Sequence, residues 1–93
     1  MVYRDRVDII KLILEAANGG GVTKTIIMYK TFLSHEHLQE YLVLLTENDL
    51  LRYDKVMRTF QTNEKGVAFL QAYNEIGQIL KEGQPVYLQN DSE

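Results

Sequence analysis

Residues Lys24 to Leu51 read KTIIMYKTFLSHEHLQEYLVLLTENDLL. Two amphipathic helical patterns lie in this stretch, separated by the break Phe32-Leu33-Ser34, and a strand pattern follows at once. The second of the two helices carries Glu36, Glu40 and Glu47 and has neither Lys nor Arg.

Upstream, a first helix is expected from about Asp5 to Asn18. Val7, Ile9, Ile10, Ile13, Leu14 and Ala17 recur at spacings of three and four and form a broad buried stripe. Gly19, Gly20 and Gly21 end it, because glycine takes the left-handed conformation that closes helices at little cost. Val22 is placed to add a short strand to the later hairpin. Thr23 offers a hydroxyl to cap the second helix, whose apolar positions Ile26, Ile27, Met28, Tyr29 and Phe32 read as core. Ser34 caps the third helix by accepting from the amide of residue 36 or 37. From there Leu38, Tyr41, Leu42 and Leu45 share one face. Glu36, Glu40, Val43 and Glu47 centre the opposite one, flanked by His37, Gln39 and Leu44.

Asn48 and Asp49 suit a left-handed helix end. A strand over Leu50 to Asp54 finds its partner in about Arg58 to Thr62, across Lys55, Val56 and Met57. Asn63 then caps a last helix, with Glu64 favourably placed in its first turn. Its apolar residues Val67, Phe69, Leu70, Tyr73, Ile76, Ile79 and Leu80 run to about Glu82, too many for one narrow stripe. Residues 84–93 read as a polar tail in which Val86, Tyr87 and Leu88 could dock on a neighbouring surface. Helix, tight turn, helix and hairpin, in that order, is a winged helix-turn-helix. The expected class is therefore α+β, mostly helical, with a two-stranded wing and an extra C-terminal helix. Residues 1–83 form the domain, and about 63–82 its dimerisation helix, since a wide apolar surface on a terminal helix commonly finds a second copy.

Composition fits one small domain. The chain has 93 residues, 45% of them apolar, enough for a modest core that association would help stabilise. There is no cysteine, hence no disulfide framework, thiolate metal site or Cys nucleophile. No window approaches the roughly 20 apolar residues that span a bilayer, and no signal-peptide pattern opens the chain. A soluble, cytoplasmic protein is expected. The net charge of −3 does not favour a polyanion, but binding depends on where the basic residues sit. Arg4, Arg6 and Lys11 are balanced by Asp5, Asp8 and Glu15; Lys24 and Lys30 stand alone in 19–34; 35–49 holds only acids; Arg52, Lys55 and Arg58 outweigh Asp54 in 50–62. Two basic clusters flank one acidic helix.

The run KTIIMYKTFLSHEHLQEYLVLL, then DLLRYD, then TFQTNEKGVAFLQAYNEIGQIL resembles archaeal winged helix-turn-helix proteins related to the small crenarchaeal chromatin protein that dimerises through a C-terminal antiparallel coiled coil. The resemblance covers about residues 4 to 82 and rests on an ordered set: Lys24-Thr25, Ile27-Met28-Tyr29, Leu33-Ser34, Tyr41-Leu42, Leu50-Leu51 and Glu64-Lys65-Gly66. It implies a transcriptional regulator or nucleoid-associated protein that binds DNA through the Ser34 helix and the wing and dimerises through the last helix. The sequence departs from the family at Ile26, where a basic residue is common, and at Asp49, where glycine is usual. A last helix ending near Gly83 would favour a compact helix pair over a long coiled coil.

On this reading Lys24, Lys30, Lys55 and Arg58 contact phosphates, while the neutral groups of Ser34, His35, His37 and Gln39 reach base edges. Each has a plainer alternative. Surface hairpins carry Lys to stay soluble and to discourage edge pairing, and Ser34 has a sufficient job as a cap. Glu36 and Glu40 could accept from cytosine amino groups but meet phosphate repulsion unless basic neighbours offset it. His35 and His37, two apart, do not share a helix face, so no metal site is expected. Phe69, Tyr73, Ile76 and Leu80 are the dimerisation candidates.

No catalytic residue and no cofactor is implied. The glycines at 19–21 are followed by Val-Thr-Lys without the spacing of a phosphate-binding loop. Two functional classes follow. The first is a homodimer bound to double-stranded DNA, with affinity that falls steeply with salt. The second is a protein-interaction module in which Glu36, Glu40, Val43, Leu44 and Glu47 present an acidic surface with an apolar centre to a basic partner.

Overall fold

The computed structural model describes residues 5–89, with side chains through residue 80, as four helices and one hairpin. Helix α1 (Arg6–Ala16) starts at Asp5, whose carboxylate accepts from the Asp8 amide at 2.9 Å. It buries Ile9, Ile13, Leu14 and Ala16. Gly19, at φ +101, turns the chain back in the left-handed region, as expected. Val22 then pairs with Phe60 through two reciprocal backbone bonds of 2.9 and 2.7 Å, so the predicted short extra strand is present as a bridge.

Helix α2 (Lys24–Thr31) is capped by Thr23, which accepts from the Ile26 amide at 3.3 Å. Its expected core corrects substantially. Only Ile27 is fully buried and Met28 half-buried, whereas Ile26 is exposed and Tyr29 and Phe32 are each 83% exposed. The fully buried stripe of the helix is Ile27 and Thr31, one turn apart, with Met28 packed beside it; the Thr31 hydroxyl donates to the Ile27 carbonyl at 2.8 Å. Ile26 lies about 100° and Tyr29 about 200° around the axis from Ile27. Phe32 closes the helix at φ 60, which swings its ring outward.

Helix α3 (His35–Glu47) begins at Ser34, whose hydroxyl oxygen accepts from the His37 amide at 3.1 Å. Leu38, Tyr41, Leu42 and Leu45 are its buried face, as the spacing predicts. Asp49 ends it at φ 63. Strands β1 (Leu51–Asp54) and β2 (Thr59–Thr62) pair antiparallel, with Leu51 opposite Thr62 and Tyr53 opposite Phe60. Asp54 Oδ1 organises the four-residue turn by accepting from the Val56 and Met57 amides at 2.9 and 3.2 Å. Thr62 ties the hairpin to α1: its hydroxyl donates to the Leu14 carbonyl at 2.7 Å and its amide to Ala17 at 3.0 Å.

Helix α4 (Glu64–Gln89) is capped by Asn63, which accepts from the Gly66 amide at 3.1 Å. A Cβ on Gly66 would lie 2.5 Å from the Leu50 carbonyl oxygen and 2.5 Å from Thr62 Cγ2, so only glycine admits this close approach. Leu70 enters the core formed by α1, α3 and β1. The Tyr73 hydroxyl donates to Asp8 of α1, and the Lys11 ammonium sits 5.6 Å from the Tyr73 ring centre. The expected end near Gly83 corrects as well. The helix continues past Gly83 and Pro85 to Gln89, 26 residues in all, or about 39 Å at 1.5 Å per residue. Proline weakens a helix interior by removing one donor and crowding the preceding turn, but it does not by itself forbid the helix from continuing. The expected polar tail is thus helical through residue 89. The side chains of Val86, Tyr87 and Leu88, and residues 90–93, lie outside the described residues.

Candidate nucleic-acid interface

Helix α3 divides into three strips. Its exposed centre holds Glu36, Glu40, Val43 and Glu47, all exposed. The strip toward the hairpin and the start of α2 holds His35, Gln39 and Thr46. The strip toward α1 holds His37 and Leu44. This partition follows from 100° per residue around a helix whose buried face is already fixed by Leu38 and Leu45.

On the hairpin side, a groove of about 610 Å³ runs between the start of α2, the flank of α3 and the inner face of the hairpin. Lys24 and Arg58, far apart in sequence, both line it, as does Gln39. The Lys24 ammonium donates to the Gln39 side-chain oxygen and lies 3.0 Å from His35 Nε2, a bond that needs this nitrogen unprotonated. The groove floor includes Leu42, Val43, Tyr53 and Phe60, with the last two rings 4.7 Å apart. Tyr53 and Phe60 are the floor residues that the sequence reading missed. Their signal was the hairpin register, which pairs them directly and so points both rings to one face.

Four of the eight sequence-derived contact candidates, Lys24, His35, Gln39 and Arg58, thus collect along the hairpin side of α3. His37 does not join them. Its ring stands edge-on to Tyr41 at 6.1 Å, in a cleft shared with Arg6, Glu40 and Leu44 on the α1 side. Arg6 lies 5.7 Å from the Tyr41 ring, a neighbour that no sequence signal connects to α3. Lys30 is exposed in the last turn of α2, where it complements the helix dipole, and it does not line the groove. Lys55 is exposed in the hairpin turn. Ser34 spends a lone pair on its cap. Among the described residues the ion pair recorded is Lys11 with Glu15 at 3.3 Å, and no carboxylate within that range neutralises Lys24, Lys30, Lys55 or Arg58.

Arg58 occupies the left-handed region at φ 57, where a side chain costs about 1 kcal/mol relative to glycine. The turn therefore holds a cation at the groove against backbone preference. Between α1 and α4, the Tyr73 hydroxyl bond holds the Asp8 carboxyl below its ordinary range, and the same bond raises the Tyr73 phenol. That pair fastens α4 to α1.

The chain matches the winged helix-turn-helix family over residues 3–81. It belongs to that family. In this winged helix-turn-helix protein α2 and α3 are the helix-turn-helix and β1–β2 the wing. Membership speaks for DNA as partner, and for binding rather than catalysis, which is typical of the family. No curated protein matches the chain. Among the described residues no helix is long and apolar enough to cross a membrane.

Proposed function

We propose that this winged helix-turn-helix protein is a homodimeric double-stranded DNA-binding protein, a transcriptional regulator or nucleoid-associated protein of the cytoplasm. It would be akin to the archaeal chromatin-protein relatives its sequence resembles. The observation that carries the reading is the convergence of Lys24 and Arg58, both without an acidic partner, on one groove beside α3. DNA approaches with its backbone along that groove. Lys24 and Arg58 hold phosphates there, Lys55 reaches further from the wing, and Lys30 reaches from the end of α2. His35 and Gln39, already oriented by Lys24, turn toward base edges, with Ser34 and His37 at the margin. The acidic centre of α3 opposes deep insertion, so binding leans on the hairpin side.

Four phosphate contacts per subunit give a log–log salt slope of roughly −3 to −4 per subunit. A gel-shift titration on mixed-sequence duplex DNA from low to moderate salt measures it. No complex at low salt would remove this reading. Dimerisation is assigned to α4 within 63–82, where the candidates Ile76 and Leu80 are exposed together with Ile79, whereas the candidates Phe69 and Tyr73 are partly buried against the domain. Residues 1–83 serve as the working domain.

A second reading rests on the outward centre of α3, where Val43 is exposed among Glu36, Glu40 and Glu47. Such a surface suits a basic protein partner. Glu36→Lys with Glu40→Lys separates the two: DNA affinity rises under the first reading, and capture of a basic partner is abolished under the second.

A further inference from the structure

The groove beside α3 has a chemistry that phosphate contacts alone leave unused. Its cationic members are Lys24 and Arg58, and none of the residues that line it is acidic, although acids outnumber bases 13 to 10 in the chain. Its floor is apolar and aromatic, with the Tyr53 and Phe60 rings tilted by 40° to each other. A phosphate would ignore that floor, an uncharged hydrocarbon would leave both cations unanswered, and a cation would be repelled.

We propose that this groove binds a small organic monoanion with a flat apolar body, of the aromatic carboxylate type. The ammonium of Lys24 has three donors. Gln39 and His35 take two, which fixes the position of the charge and leaves the third N–H for the ligand. Arg58, with no carboxylate partner among the described residues, supplies a planar fork matched to two carboxylate oxygens. The flat body lies against Tyr53 and Phe60, and Thr46, whose hydroxyl donates to the Leu42 and Val43 carbonyls of its own helix, lines the same space. At about 610 Å³ the groove falls within the range of small-molecule sites. The ligand would occupy the cations assigned above to DNA phosphates and so compete with DNA. That consequence rests on the DNA-binding reading, but ligand binding itself does not.

The test is a titration of the full ¹⁵N-labelled chain, without DNA, with benzoate as probe and with benzyl alcohol and inorganic phosphate as controls. Benzoate is expected to give saturable amide shifts at Thr25, Thr46, Tyr53 and Phe60, and the controls none at the same concentrations. Lys24→Gln and Arg58→Gly each weaken benzoate binding about tenfold, as loss of a charge-assisted hydrogen bond does. Arg58→Gly relieves the backbone, so it remains folded even where Lys24→Gln disturbs α2. No saturable benzoate shift would overturn the proposal. So would equal binding of phosphate, which would make the groove an anion site only, or of benzyl alcohol, which would make it apolar only, or undiminished binding by folded Arg58→Gly. Gel shifts without benzoate report on DNA binding separately, so the two readings fail independently.

Discussion

Single residues carry two of the clearest physical signatures. Phe32 closes α2 at φ 60 with its ring mostly in water, so glycine there would lose little burial and remove left-handed strain. After the entropy glycine gains in the unfolded chain is subtracted, Phe32→Gly is expected to stabilise the protein by about 0.5–1 kcal/mol, read as a higher urea midpoint at unchanged m-value. Tyr73 gives a pH signature. Because its hydroxyl bond lowers the Asp8 pKa, that bond contributes stability above the ordinary carboxylate range, and the contribution is lost as pH falls through the lowered folded value. Tyr73→Phe should return the Asp8 pKa toward normal in a carboxyl NMR titration. It should also flatten the acid limb of stability below about pH 4.

Elements obeyed local rules wherever one face was buried. The caps Thr23, Ser34 and Asn63, the buried stripe of α3 and the Val22 bridge were legible, because each depends on neighbours a few residues away or on a strong periodic signal. The interior of α2 was misread, since four apolar residues in so short a helix, with Phe32 at its cap, exceed the face that the domain covers. The end of α4 was misread because glycine and proline weaken a helix without necessarily stopping it. Gly66 joins elements in a way that propensity inverts. In an isolated helix alanine would be better by about 1 kcal/mol, yet here its Cβ meets the Leu50 carbonyl at 2.5 Å. Gly66→Ala is expected to destabilise the fold by about 1–3 kcal/mol in thermal or urea unfolding.

At the scale of the whole molecule, α4 uses Leu70 and Tyr73 to hold the domain and leaves Ile76, Ile79 and Leu80 exposed. Ile76→Glu with Leu80→Glu should convert the proposed dimer to monomer in sedimentation equilibrium while leaving thermal stability at high dilution unchanged. Dimeric behaviour of this variant would move the interface elsewhere. By itself, the sequence determined the element order, the acidic centre of α3 and the family, because periodicity, capping and charge are local properties of the chain. Only the tertiary structure decided which cations share a groove. Lys24 and Arg58 line one groove, and His37 shares a cleft with Arg6 instead, because the hairpin lies along one flank of α3 and the start of α1 along the other. That choice of neighbours belongs to the packing and not to any local pattern.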